Sequence, residues 1–254
     1  MTNAVLGAEN LSLSFGGVKA VNNVSFEVHE GEVFSIIGPN GAGKTSIFNL
    51  ISRLYDADEG DITLDGRSIS KEPPHKIAAM GVARTFQNTE LFEHETVLKN
   101  MLIGRHVHRH TNLFSELLFL PSVARQELAF REVVEDIIDL LNLQSYRNQV
   151  IGSLPYGVRK MVEVARALCL QPKLLLLDEP SSGLNPEETE DVSFWIEDIS
   201  QEYGATIIMV EHDMNLVSQV STRVMAVADG AVVAIGSASE IQNHPDVQRA
   251  YLGD

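Results

Sequence analysis

Cysteine and positive charge are both scarce in this sequence. One cysteine, Cys169, occurs in 254 residues, so no disulfide can form within the chain and a reducing compartment such as the cytoplasm is expected. Lys and Arg total 19 against 35 Asp and Glu, which gives a formal net charge of −16. A surface this acidic repels phosphate backbones and argues against DNA or RNA as the main partner. Any bound phosphate must therefore be held by a local set of donors.

Long apolar runs are also lacking. No stretch approaches the roughly 18–20 consecutive apolar residues that span a bilayer. The opening residues, MTNAVLGAEN, contain no basic region followed by an apolar run, so we expect no signal peptide. Association with a membrane through another protein stays open.

The apolar residues that are present follow two periods. Alternation over 9–34, broken at Gly16-Gly17, predicts antiparallel strands, and 223–236 predicts a hairpin through Asp229-Gly230. Three denser apolar runs predict buried strands: VFSIIG (33–38), LLLLDEP (174–180) and ATIIMVEH (205–212). Helical periodicity covers 126–143 and about 157–170. GDITLDG (60–66) reads as a short exposed strand, and segments 67–76 and 104–125 as irregular.

Buried strands thus alternate with helices, and antiparallel strands lie outside them. This order predicts an α/β fold with a mainly parallel sheet and an attached antiparallel layer.

The first motif with a chemical meaning is GPNGAGKTS. It follows a buried strand, opens a helix and fits the phosphate-loop pattern, in which backbone N–H groups and the helix dipole hold phosphates. Lys44 is expected at the β- and γ-phosphates, Thr45 on Mg²⁺ and Ser46 near the α-phosphate. The residues of the predicted loop are Gly38, Pro39, Asn40, Gly41, Ala42, Gly43, Lys44, Thr45 and Ser46.

A phosphate loop of this kind calls for an acidic residue at the end of a neighbouring buried strand. LLLLDEP supplies Asp178, which is expected to hold Mg²⁺ through water. Glu179 follows at the carboxyl end of the strand, where ligands gather in open α/β sheets, and can polarise the water that attacks the γ-phosphate.

The chain resembles the ATP-binding subunits of ABC transporters. Four features in a fixed order carry this resemblance: GPNGAGKTS, the glycine helix start at 157, LLLLDEP and VEH. The resemblance covers nearly the whole chain. It implies a single nucleotide-binding domain, 1–254, with a P-loop core and a helical subdomain at about 88–170. It also implies two ATPase subunits that enclose ATP and Mg²⁺, seated on the cytoplasmic side of permease subunits, with a substrate-binding protein as indirect partner.

The resemblance assigns further residues one by one. Phe15 matches the aromatic that stacks on adenine, Gln87 the glutamine that binds Mg²⁺ or the attacking water, and His212 the histidine at the γ-phosphate. The loop SSGLN (181–185) matches the segment that crosses the dimer interface. Gly157 matches the glycine offered to the partner's ATP.

One motif departs from the family. The usual Leu-Ser-Gly-Gly-Gln reads Leu154-Pro155-Tyr156-Gly157-Val158 here, so the serine hydroxyl and its N–H are both missing. The chain resembles the branch of the family that imports branched-chain amino acids. The resemblance rests on the tyrosine before the glycine, the sequence RTFQ at 84–87, the long segment 104–125 and the YLG ending. This branch favours a heterodimer of two ATPase chains, although a homodimer stays open.

Two other functions remain open at this point. One is an ABC ATPase for lipid or lipopolysaccharide export, and the other is a subunit that binds ATP with little turnover. The histidines of RHVHRH, at 106, 108 and 110, could bind a metal if they lay on a strand and a fourth ligand were found; a solvated patch is the alternative.

Overall fold

The computed structural model describes residues 4–85, 90–109 and 121–252. The chain divides into two compact units. One contains Met1–Gln87 and Lys173–Asp254, and the other contains Asn88–Pro172.

A six-stranded sheet forms the centre of the first unit. Its central strands are parallel, and one antiparallel strand closes an edge, in the order β10-β9-β3-β8-β7-β6. Every residue of the three central strands is buried, as their unbroken apolar runs predict. The strands are β3 (Val33–Ile37), β6 (Val82–Arg84), β7 (Leu174–Asp178), β8 (Thr206–Val210), β9 (Arg223–Ala228) and β10 (Ala231–Gly236).

A second, antiparallel sheet has the order β2-β1-β4-β5. Its alternating residues give one buried face, which joins the same apolar core as the larger sheet. The strands are β1 (Ala4–Phe15), β2 (Val18–His29), β4 (Glu59–Leu64) and β5 (Arg67–Ser68).

Helices complete the first unit. One starts directly at the end of the phosphate loop, and another starts with a full capping box in which Asn185 and Glu188 bond each other's backbone N–H groups. They are α1 (Lys44–Ile51), α2 (Pro74–Ala79), α6 (Pro186–Gln201), α7 (Met214–Val220), α8 (Ala238–Gln242) and α9 (Pro245–Leu252).

The second unit is helical in its described part. It contains α3 (Val97–Gly104), α4 (Pro121–Leu140) and α5 (Tyr156–Leu168), with short 3-10 turns between them. The buried Arg105 guanidinium donates to the Cys169 carbonyl at 2.7 Å and to Gln171 Oε1 at 2.8 Å. Cys169 is fully buried, and this burial raises the pKa of its thiol to about 12.

The register of the parallel sheet sets up the site. Val210 of β8 lies opposite both Ile36 of β3 and Asp178 of β7. Because parallel strands end at the same edge, the loops after β3, β7 and β8 start side by side. The predicted α/β fold, with a mainly parallel sheet and an antiparallel layer, is confirmed.

Three local predictions were wrong. The segment 67–76 is not irregular, since it contains β5 and the start of α2, and residues 121–125 belong to α4. The strand in GDITLDG is not simply exposed, because Ile62 and Leu64 are buried in the core. Within the described ranges, no helix is both long and apolar enough to cross a membrane.

Candidate active site

The loop between β3 and α1 has the backbone that a phosphate loop needs. Gly43 has φ +99°, and a Cβ there would lie 2.3 Å from the backbone oxygen of Ala20. A Cβ on Gly38 would lie 2.2 Å from the oxygen of Val227. The loop is therefore packed directly against neighbouring backbone at two points, and only glycine fits there. A Cβ on Gly41 (φ +84°), by contrast, would meet no atom within 4 Å.

Lys44 lies inside this loop. Its ammonium donates to the carbonyl oxygens of Gly38 at 2.7 Å and Pro39 at 3.0 Å, and the residue is buried. Burial lowers the pKa of Lys44, while the negative charges of Glu179 and Asp178 raise it and oppose part of that shift. The ammonium and both carboxylates thus share one electrostatic neighbourhood.

Asp178 ends β7 and is buried. Its Oδ2 accepts from the Arg84 guanidinium at 2.8 Å, with the two side chains 5% and 10% exposed. The same guanidinium donates to Asn49 of α1 at 2.7 Å and to Ser52, the residue that follows α1, at 2.8 Å. Asp178 is therefore connected through Arg84 to the helix that follows the phosphate loop.

Glu179 occupies an uncommon backbone conformation. Its φ is +50°, in the left-handed region that non-glycine residues seldom adopt. Its N–H donates to the Val210 carbonyl at 2.9 Å. Unlike the buried residues of β7, Glu179 is partly exposed, at the edge of the sheet where the phosphate loop begins.

His212 follows β8 and carries an exposed side chain, 58% accessible. The residue before it, Glu211, is completely buried. The Glu211 carboxylate accepts backbone N–H groups from Ser181 at 2.8 Å, His212 at 2.8 Å and Asp213 at 3.1 Å. One buried carboxylate thus joins the turn after Glu179 to the turn that contains His212.

Phe15 ends β1 with 47% of its surface exposed, so it is not a core residue. Its ring meets the Tyr55 ring edge-on, with centroids 5.3 Å apart and an interplanar angle of 70°. An exposed aromatic pair of this kind offers a flat surface to a base, and the adenine role of Phe15 stays a prediction.

Two further predicted site residues are Gln87 and Gly157. Gln87 lies outside the described residues. Gly157 belongs to the helical unit, in the first turn of α5, where it is buried. Pro155 is the N-cap of α5 and makes no side-chain capping bond. The N-terminus of α5 therefore has no side-chain cap at this position.

The two described histidines of the RHVHRH cluster are not on a strand. His106 and His108 lie in a 3-10 turn, and a ring nitrogen of His108 is 2.7 Å from the Leu170 carbonyl oxygen. His110 lies outside the described residues. Over the ranges that the structure describes, no group of three or more His, Cys, Asp or Glu side chains is placed to hold a metal ion.

The parallel sheet, the phosphate loop at its carboxyl edge and the acidic pair on the adjacent strand define a P-loop nucleoside triphosphatase. The family model for ABC transporters matches residues 21–182, and a model for branched-chain amino acid ATP-binding cassette transporters matches 231–254. The chain belongs to the ABC transporter family and is an ABC-type ATPase.

Relatives match along the entire chain. It is 41% identical over 254 residues to the high-affinity branched-chain amino acid transport ATP-binding protein BraF of Pseudomonas aeruginosa, and 40% identical to LivG of Escherichia coli K12, each covered completely. It is 32% identical to the lipopolysaccharide export ATP-binding protein LptB of Haemophilus influenzae over 99% of this chain and 98% of LptB. A solved ATP-binding cassette of an ABC transporter in its ADP conformation superposes with a TM-score of 0.86 at 29% identity, covering 99% of both chains.

Two residues that the structure places at the site, Arg84 and Glu211, have no predicted role from the sequence. Arg84 belongs to the segment RTFQ, and its contact with Asp178 spans 94 positions of sequence. Glu211 directly precedes His212. A single charged residue ending the apolar run ATIIMVEH was the available signal, because a buried carboxylate must find hydrogen-bond donors.

Proposed function

We propose that this chain hydrolyses ATP to drive an importer of branched-chain amino acids or related amides. The observation that carries the proposal is the grouping of Lys44, Asp178 and Glu179 at one edge of the sheet, beside a loop that only glycine can form. The cargo is inferred from BraF and LivG, whose names specify branched-chain amino acid transport and whose whole length matches this chain.

The residues at the sheet edge would have different roles in ATP binding and hydrolysis. The loop N–H groups from Gly38 to Ser46 would hold the phosphates, with Lys44 at the β- and γ-phosphates and Phe15 against adenine. Glu179 would accept a proton from the attacking water, and His212 would contact the γ-phosphate. Gln87 would contact the metal or this water and connect the site to the permease.

Mg²⁺ fits the donors that are present. The exposed hydroxyl of Thr45 and the carboxylate of Asp178 are the hard oxygen ligands that this ion prefers. Asp178 Oδ2 is engaged by Arg84, so Oδ1 is the oxygen that would accept from a metal-bound water. Bound there, Mg²⁺ would neutralise charge on the phosphates as it develops.

A second ATPase subunit would complete the site. The N-terminus of α5, with Gly157 in its first turn, would offer N–H groups and dipole to the γ-phosphate of the partner's ATP. Pro155 supplies neither hydroxyl nor N–H, so this contact is weakened and a heterodimer with a more complete signature loop is favoured over a homodimer. ATP would hold the dimer closed and hydrolysis would release it, moving permease subunits at the cytoplasmic face of the membrane.

The test is ATP hydrolysis by the purified chain, alone and mixed with its candidate ATPase partner. Turnover is expected in the mixture and not in Glu179→Gln, while the exposed Glu197→Gln on α6 serves as the matched control and should retain full activity. Pro155→Ser should raise turnover of the chain alone. Strong turnover by the unmodified chain alone would refute the heterodimer. ATP binding with no turnover in any mixture would instead favour a nucleotide sensor.

The cargo needs a separate measurement. With permease subunits and binding protein reconstituted in vesicles, leucine, isoleucine or valine should stimulate ATP turnover and accumulate inside. Stimulation by a lipid, with no effect of these amino acids, would favour the export function that the likeness to LptB leaves open.

A further inference from the structure

Glu211 occupies the centre of the active-site edge without belonging to the expected machinery. It is the first residue after β8, it is completely buried, and its N–H donates to the Ile36 carbonyl of β3 at 3.3 Å. A buried carboxylate is costly unless donors surround it. Here three backbone N–H groups do so, from Ser181, His212 and Asp213.

Hydrogen bonds from backbone N–H groups join the turn after β7 to the end of β8. The turn runs Glu179-Pro180-Ser181, and Pro180 has no N–H to offer. The two N–H groups that flank Pro180 bond to the last residue of β8 and to the residue that follows it. Glu179 donates to the Val210 carbonyl at 2.9 Å, and Ser181 donates to Glu211 Oε1 at 2.8 Å.

This anchoring matters because Glu179 is strained. A non-glycine residue at φ +50° persists only where its surroundings fix it. The Ser181 bond to Glu211 is one of the hydrogen bonds that hold this turn. The other oxygen, Oε2, accepts the N–H groups of His212 and Asp213, so the same carboxylate also fixes the turn that aims the histidine.

We propose that Glu211 is a positioning residue for ATP hydrolysis. It fixes the positions of Glu179 and His212 relative to each other. The inference rests on the proposed function. It assigns Glu211 no contact with ATP: the carboxylate acts through the two turns that its oxygens hold.

Glu211→Gln tests the idea because it keeps size and shape. A carboxamide has one acceptor oxygen and one NH₂ donor. Whichever way it turns, its NH₂ meets an N–H donor, either that of Ser181 or those of His212 and Asp213. One of the two turns must then shift, while the phosphate loop keeps all its own contacts.

The experiment measures ATP turnover and ATP affinity in the assembly in which the wild type is active. We expect kcat of Glu211→Gln to fall at least about tenfold, with the Kd for ATP within twofold of wild type. Ile208→Val is the matched control: it removes a methyl from a fully buried side chain in β8, away from the turns, and should leave kcat unchanged. In a His212→Ala background, Glu211→Gln should cost less than it does alone, because one of its two targets is gone.

Glu211→Asp provides a second variant, since it keeps the charge but is one methylene too short to reach both turns. It should also lower kcat more than it changes the Kd. If kcat of Glu211→Gln stays within twofold of wild type, or falls only in parallel with ATP affinity, the positioning role is refuted. Failure of both variants to fold would assign Glu211 to the fold alone and refute it as well. A wild-type assembly without turnover would refute the proposed function, and this role with it.

Discussion

The buried pair of Arg84 and Asp178 should contribute far more to stability than an ion pair at the surface. The two side chains are 10% and 5% exposed, and Arg84 also bonds Asn49 and Ser52. Removing one partner of a buried pair leaves the other charge without compensation, which costs about 3–5 kcal/mol. Arg84→Met keeps the apolar stem and removes the charge. The free energy of unfolding should therefore fall by about 3 kcal/mol or more.

Urea unfolding of the nucleotide-free chain, followed by circular dichroism, measures this loss. In thermal unfolding the same loss would lower Tm by roughly 6 °C or more for a chain of this size. Arg67→Met is the control, because Arg67 pairs with Glu72 at 3.0 Å but is 71% exposed, and its loss should cost less than about 1 kcal/mol. Arg84→Met combined with Asp178→Asn should recover much of the stability. If Arg84→Met costs no more than Arg67→Met, the electrostatic reasoning is wrong.

Three further predictions follow from local geometry. Gly43→Ala should abolish ATP binding, because its Cβ would lie 2.3 Å from a backbone oxygen. The Cβ of Gly41→Ala would meet no atom within 4 Å, so this variant should cost only about 1 kcal/mol of backbone strain. A nucleotide titration compares the ATP affinities of the two variants. Cys169, with its pKa raised to about 12 by burial, should resist alkylation at pH 8 until the chain unfolds, which mass spectrometry can follow. Hydrogen bonding from Arg147 lowers the pKa of Glu135, so this pair should stabilise the fold above the ordinary Glu pKa of about 4.3 and lose that effect as pH falls through the lower folded value. Urea midpoints of wild type and Glu135→Gln should therefore converge in acid, and a constant difference between them would contradict the assignment.

Much of the fold was predictable because its signals are local. Unbroken apolar runs identify β3, β7 and β8, and alternation identifies β1 and β2. Asn185 before Pro186 marks the start of α6. The start of α4 was missed because most residues in 121–129 are exposed and supply no amphipathic pattern. The start of α2 was missed although Pro73-Pro74 fits a helix whose first residue is proline.

The candidate site was predictable only as far as its motifs reach. The phosphate loop and the acidic pair are contiguous segments, so their residue types identify them. The contacts that orient them join distant segments: Arg84 to Asp178, and Glu211 to Ser181. Such pairings depend on which strands lie side by side, and one sequence does not specify that order. For this reason the motifs predict the reaction, whereas only the structure identifies the residues that hold the catalytic groups in place.

The distribution of charge explains why those holding contacts matter. The unit Asn88–Pro172 contains nine Lys and Arg and ten Asp and Glu, whereas the rest of the chain contains ten and 25. The phosphate loop thus lies in the strongly acidic unit, whose overall field opposes a triphosphate. Burial lowers the pKa of Lys44 and the charges of Glu179 and Asp178 oppose part of that shift, while these same carboxylates repel phosphate until a divalent cation lies between them. Binding of the triphosphate must therefore come from hydrogen-bond donors that contact it directly. Their contribution is lost when they move by a fraction of the hydrogen-bond length. A site of this kind depends on its backbone being fixed, and the buried groups that fix it, Arg84 at Asp178 and Glu211 at the two turns, determine whether the motifs can act.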